Sequence, residues 1–521
     1  MDIIDRLPFL TGPASAMPVR PREQGAAMTL GQGMPCDDAD TVHYCDSFPQ
    51  MKNWQAGCTG SRANAAAHGY LEIEACGADL ERLEHAFNRV IARHDMLRAV
   101  VLPDGSRHIL PDVPYYPFPV EDLAGLPAHQ RATRLAALRD ELSHHVLRAD
   151  SWPRYAIRVS RLPDRKLRLH LSFDPRILDA RSLDLLSADW QHYHDHPEHD
   201  LPALAFSFAD YEAGLRQIER TRAFRESLQY WRNRLDDLPP PPALTLARSP
   251  ESAAAPVFTR RSLRLPHSDW EALKKRAGAL RITPAALLLS IYGGVLQRWS
   301  ASPRFTLNLK LCSRLPFHAD VGRMVGDFTS ATLLAFDLSA GGSFVDSAHG
   351  VQRQLENDLE HRAVDGGQVL LELAGRGLDS SSITQAVTQP AALPVVFTSA
   401  LDSDETGHRD EWPFDWLGHT AFAVTQAPGV WLDCQAREHG GELAIDWDSA
   451  DALFAHGQVD AMFDAFTAML QRLARDGTAW RNPQQREVAV PAAVVRAIET
   501  WVWPALSPGR AGRKALPTSP W

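Results

Sequence analysis

The residues best suited by type and spacing to do chemistry form one cluster, Asp174-Pro-Arg-Ile-Leu-Asp179-Ala-Arg-Ser182. Two carboxylates and a hydroxyl within nine residues offer ionisable and hydrogen-bonding groups to a reaction, but the same residue types also cap helices and close turns. Other candidates are weaker. His192, His194, His196 and His199 are dense enough to consider as metal ligands, yet their Asp/Pro-rich setting reads as a surface loop. The early cysteines Cys36, Cys45, Cys58 and Cys76 lack CxxC spacing and form neither a metal site nor a disulfide framework. There is no P-loop and no GxGxxG, so nucleotide chemistry has no support.

The DxxxxDxxS cluster sits where a strand passes into a helix. In Lys166–Phe173, Leu167, Leu169, Leu171 and Phe173 alternate with polar residues, among them His170 and Ser172. Beyond the cluster a helix is expected from near Ser182, which would cap it, with Leu183, Leu186, Trp190 and Tyr193 at helical spacing. Upstream, Tyr70–Ala75 reads as a strand, and Asp79 caps a helix whose face is Leu80, Leu83, Phe87, Val90 and Ile91. Downstream, Pro239 to Pro242 form the centre of a stiff linker. Thr283-Pro284 then opens a second helix, and Phe305, Leu307, Leu309 and Leu311 alternate as a strand. The expectation is α/β throughout: a tail at 1–40, one lobe at 41–225, a second at 226–480 that includes the Pro-rich joint, and a tail at 481–521 in which VVRAIETWVW is a possible docking helix.

Composition narrows the functions. A length of 521 residues is long for one core, and 45% hydrophobic residues suffice for a packed interior. The formal net charge of −10 argues against nucleic-acid binding. No run approaches the ~20 apolar residues a membrane helix needs, and the first residues do not read as a signal peptide. A cytoplasmic monomer is the expectation.

Several further segments give the chain a family likeness. Arg93-His94-Asp95-Met96-Leu97, Tyr230-Trp231 through Arg234-Leu235 to Leu238-Pro239, Thr283-Pro284 with Val295-Leu296 and Trp299-Ser300, Gly326-Asp327-Phe328-Thr329-Ser330, Pro394–Ser399, and Gln426-Ala427-Pro428 with Val430–Gln435 occur in order over about 45–475. Together with DxxxxDxxS they resemble the heterocyclization domains of nonribosomal peptide synthetases, relatives of condensation domains. His144-His145 is spaced too far from Asp150 to mimic the HHxxxDG of condensation domains, and Pro175 stands where those domains place a histidine. Three departures stand out: Phe48–Trp54 barely matches the family's opening motif, Ala427 replaces a Thr, and Ser313 replaces a common Asn.

The resemblance implies two chloramphenicol-acetyltransferase-like lobes in a V-shaped pseudo-dimer with a central tunnel. Donor and acceptor peptidyl carrier proteins would deliver substrates on 4'-phosphopantetheine, and the chain would bind no cofactor or metal of its own. It further implies Asp433 and Thr398 as catalytic residues, with Gln435, Asp174 and Ser399 orienting substrate. Asp179, Ser182 and Arg314 would be structural, Asp179 pairing with Arg314. The expected activity joins an acyl thioester to carrier-bound Cys, Ser or Thr and closes a thiazoline or oxazoline. The alternatives are a condensation enzyme that stops at the linear amide or ester, and a non-catalytic homologue that organises carriers. A free small-molecule acyltransferase would need a histidine at the loop that carries Pro175.

Overall fold

The computed structural model describes residues 67–102, 107–143, 147, 150–250, 257–375, 393–401, 412–427 and 429–481. The expected tails, the Phe48–Trp54 motif, Cys36, Cys45, Cys58, His144-His145, Pro428 and VVRAIETWVW lie outside the described residues. All described residues fall in one unit, His43–Trp521.

In chain order the first half contains β1 (His68–Cys76), α1 (Leu80–Arg93), β2 (Ala99–Val101), β3 (Arg107–Ile109), β4 (Val120–Asp122), α2 (Ala128–Ser143), β5 (Tyr155–Arg161), β6 (Lys166–Phe173), α3 (Ala180–Asp195), α4 (Phe208–Ile218) and α5 (Arg222–Arg234). The second half contains β7 (Thr259–Leu265), α6 (His267–Ala279), α7 (Pro284–Trp299), β8 (Arg304–Cys312), β9 (Thr329–Asp337), α8 (Phe344–Glu360), α9 (Gly366–Gly375), β10 (Val395–Ala400), β11 (Gly418–Gln426), β12 (Leu432–His439), β13 (Glu442–Ser449) and α10 (Gln458–Arg475).

Two large sheets organise the chain. One has five strands in the order β11-β1-β6-β5-β4; the other has six in the order β7-β13-β12-β10-β8-β9. Each carries its own core. Leu71, Ile73, Leu169 and Leu171 of the first sheet pack with Phe87 and Val90 of α1 and with Leu186 and Trp190 of α3. Phe305, Phe397, Leu432 and Trp447 of the second pack with Trp270, Leu288, Phe344 and Phe466 from its helices. Local chemistry starts these helices: the Asp79 side chain accepts from the Glu81 and Arg82 amides, and Thr283 accepts from Ala286 N with Pro284 following it.

Three features go beyond what the sequence pattern specifies. The first is the polar face of β6, where His170 and Ser172 are fully buried. The α2 helix covers that face, with Arg139 donating both arms to Glu72 and the Leu142 carbonyl accepting from Ser172. Second, the Pro-rich stretch is strapped down rather than standing free: Pro239 and Pro240 carbonyls accept from the hydroxyl and amide of Thr306. Third, a cut near 225 does not separate two sheets cleanly. Strand β11, far along the chain, pairs antiparallel with β1 and completes the first sheet.

A candidate active site on the six-stranded sheet

Thr398, Asp433 and Gln435 come together because of register. Parallel pairing of β10 with β12 sets Val396 beside Asp433 and Thr398 beside Gln435. Antiparallel pairing then sets Asp433 opposite Asp448 and Gln435 opposite Asp446, and β7 adds Arg260 opposite Asp448 and Ser262 opposite Asp446. Since alternate side chains share a face, all of these lie on one side of the sheet. Phe397, Cys434 and Trp447 occupy the other side and enter the core. Ser399 follows that alternation to the face opposite Thr398, so the strand separates it from the group it was expected to join.

The Thr398 hydroxyl donates to Asp433 Oδ1 at 2.9 Å. Gln435 Nε2 lies 3.3 Å from Asp433 Oδ2 and 2.9 Å from Asp448 Oδ2. Asp433 is 7% exposed and Asp448 is wholly buried. Burial pushes the Asp448 carboxyl up, and the Arg260 guanidinium opposes the shift. Burial also works against ionisation of Asp446. There Arg260 and Arg437 prevail and hold the carboxyl below its ordinary value. The neighbouring carboxylates in turn raise Arg260, outweighing its desolvation. Carboxyl and guanidinium groups thus line the face around the Thr398 hydroxyl.

The DxxxxDxxS segment is built differently. Asp174 is 1% exposed and tied to Arg154 and Arg176, the latter donating at 2.7 Å. Asp179 caps α3, accepting from Ser182 N at 2.6 Å. It also accepts from Arg314 Nη2 at 3.2 Å and from Phe328 N at 3.2 Å. Ser182 is therefore not the cap. The helix starts two residues earlier than its position, and its hydroxyl bridges to Gly326, donating to the carbonyl at 2.6 Å and accepting from the amide at 2.9 Å. Arg314 also donates to the Val321 and Met324 carbonyls, which completes a brace between α3 and the segment after β8.

The brace and the Thr398–Asp433 pair lie close in the fold. Cys312, the last residue of β8, contacts Asp179 Oδ2 through its sulfur at 3.3 Å, and β8 is the neighbour of β10. One turn into α3, burial raises the Asp184 carboxyl to about 6, opposed by Arg437 and Arg181. Arg437 stands on the same strand as Asp433, so the start of α3 and the polar sheet face act on each other. Asp184, Arg260, Arg437, Asp446 and Asp448 were not singled out from sequence. Alternation in Asp433-x-Gln435-x-Arg437 and in Asp446-x-Asp448 marks three of these polar positions in advance, Arg437, Asp446 and Asp448; nothing local marks Arg260 or Asp184. The histidine cluster falls at the end of α3 and just beyond it. Among the described residues no group of three or more His, Cys, Asp or Glu is placed to hold a metal ion, and no single helix is long and apolar enough to cross a membrane.

With this geometry in hand, the chain's likeness to known proteins can be placed. The condensation domain family model matches residues 66–485. Pyochelin synthetase PchF of Pseudomonas aeruginosa is 34% identical over 416 residues, which is 78% of this chain and 22% of that protein. Phenyloxazoline synthase MbtB of Mycobacterium tuberculosis is 36% identical over 441 residues, 83% of this chain and 30% of that one. The chain thus spans less than a third of either relative. The EpoB nonribosomal peptide synthetase cyclization-docking bidomain from Sorangium cellulosum superposes with a TM-score of 0.75 at 35% identity, covering 85% of this chain and 86% of that one. The X-domain from teicoplanin biosynthesis, at 18% identity and a TM-score of 0.65, shares the fold. The chain belongs to the condensation domain family of nonribosomal peptide synthetases, and within it to the cyclization domains.

Proposed function

We propose that the chain joins a carrier-bound acyl thioester to a carrier-bound Cys, Ser or Thr and then cyclodehydrates the product to a thiazoline or oxazoline. Donor and acceptor would arrive on the 4'-phosphopantetheine arms of peptidyl carrier proteins through the tunnel implied by the family likeness. The observation that carries this is the Thr398–Asp433 hydrogen bond on a charged, largely buried strand face. The relatives named for pyochelin and phenyloxazoline synthesis support it.

Amide formation asks little beyond alignment. Holding amine and thioester together is worth ~7–11 kcal/mol. Ring closure asks more, because the acceptor's thiol or hydroxyl must add to an amide carbonyl and the carbonyl oxygen must leave as water. In that sequence the side-chain heteroatom bonds to the amide carbon and its proton passes to Asp433. The oxygen gains protons and departs, and loss of the N–H proton leaves the C=N bond. One water is released per ring. A buried carboxylate beside a hydroxyl can take one proton and return another, which is the role assigned to Asp433 with Thr398. Gln435 holds Asp433 from its other oxygen. Asp174, fixed by two arginines, shapes the wall, while Asp179, Ser182 and Arg314 hold the brace.

The test is mass spectrometry of the carrier-bound product from an acyl donor and a cysteinyl acceptor. Mass loss of one water beyond the amide is the expected result. A stable linear amide from the native chain would instead identify a condensation-only enzyme, and no coupling at all would identify a carrier-organising homologue.

A further inference from the structure

The Gln435 side chain meets two carboxylates with one end and a guanidinium with the other. Its Nε2 donates to Asp448 Oδ2 and lies within reach of Asp433 Oδ2, while its Oε1 lies 3.5 Å from Arg260 Nη2. Carboxylates only accept and guanidinium only donates, so one amide orientation satisfies all three partners. A flipped amide would set its oxygen against both carboxylates. The orientation is therefore fixed by Arg260 and Asp448 and not by Gln435 itself.

These two residues are unusually well held. Arg260 Nε donates to Asp448 Oδ1 at 2.8 Å and Nη2 to Oδ2, a fork-on-fork pair with Asp448 fully buried. Asp448 Oδ2 also accepts from Thr425 N at 3.0 Å, and Arg260 Nη2 donates to the Thr425 hydroxyl at 3.2 Å. Arg260 Nη1 stands 3.7 Å from Asp446 Oδ2. Thr425 belongs to β11, so the pair is clamped by a third strand.

We infer that Arg260 and Asp448 are positioning residues for ring closure: they aim the Gln435 amide at Asp433 Oδ2, which leaves Oδ1 for Thr398 and the reacting proton. With Asp448 neutral or absent, Gln435 can rotate away and the carboxylate loses its fixed neighbour. The inference rests on the proposed role of Asp433, and the experiment keeps the two apart.

Ring closure is measured alone by presenting N-benzoyl-cysteinyl, -seryl and -threonyl thioesters on a carrier protein, using whichever the native chain closes fastest. In Asp448→Asn and Arg260→Gln, kcat for closure is expected to fall about tenfold or more with KM little changed. Arg260→Gln/Asp448→Asn, which buries no unpaired charge, keeps the native Tm and remains slow. The decisive measurement is a double-mutant cycle: in a Gln435→Leu background, adding Asp448→Asn has little further effect, because Asp448 acts through Gln435. Full additivity, or native closure in the Tm-matched double variant, overturns the inference. Asp433→Asn is the separate control. If it closes the ring at the native rate, the role given to Asp433 fails; if it stalls while the Asp448 variants do not, only the positioning role fails.

Discussion

A hydroxyl and a carboxylate 2.9 Å apart make the residue-scale claim concrete. Thr398→Val removes the hydroxyl with little change in shape, and Asp433→Asn removes the charge. Each should accumulate linear amide on the acceptor carrier, with ring closure down about 10²-fold or more, read as the ratio of linear to dehydrated product. The brace behaves differently. Asp179→Ala leaves the largely buried Arg314 guanidinium without its carboxylate, a loss of about 3 kcal/mol. Its expected signature is a lowered Tm with amide formation and ring closure lost together. Product ratio thus separates the two groups of residues even where both lose activity. Asp433 and Gln435 stand out in the sequence through the family likeness, and the polar residue at every second position along the strand agrees with it. Arg260 does not, because its partner Asp448 is 188 residues away and nothing in Thr259–Leu265 signals which strand it will meet.

Among the elements, β6 shows both the reach and the limit of pattern. Its alternation identifies the strand and the core face correctly. What covers the second face depends on α2, whose weakly patterned sequence announces no partner. Beneath it, Tyr70 donates to Glu72 Oε1 at 2.9 Å and lies 2.8 Å from His170 Nδ1, and Ser160 meets His170 Nε2 at 3.1 Å. Burial lowers His170 to about 4. The unfolded chain, with an ordinary histidine near 6.5, binds this proton more readily than the folded one. Stability from this residue is therefore complete above pH 6.5 and declines as pH falls toward 4. A His170→Gln variant should show a flatter Tm against pH across that interval. An unchanged slope would contradict the buried, neutral state. The helix ends follow sequence more closely, yet even there Asp179 rather than Ser182 caps α3, because the capping carboxylate lies three residues before the amide it accepts from.

Considered whole, the molecule depends on a strand that crosses between its halves. Strand β11 pairs with β1 from His68↔Gln426 to Ala75↔Gly418, and Thr425 also touches the Arg260–Asp448 clamp. At Gly418 the two backbones are too close for a side chain: a Cβ there would meet the Glu74 carbonyl oxygen at 2.0 Å. Gly418→Val should accordingly pry this end of β11 from β1. Hydrogen exchange is expected to rise in both strands while β12 and β13 remain protected. The alternating strands and capped helices made an α/β chain legible from sequence. The crossing was not, because the long-range register of β11 has no local signature.

That crossing has a bearing on biogenesis. During synthesis β1, β5 and β6 emerge well before β11, and the partner for the outer edge of β1 begins only at Gly418. Until then the nascent chain carries an unpaired edge, the feature on which strands of other chains nucleate aggregates. A chain released before residue 418 should therefore be prone to self-association, and the same fragment should be rescued in trans by a peptide spanning 418–426. The first sheet is, in effect, finished by a strand made long after its other four.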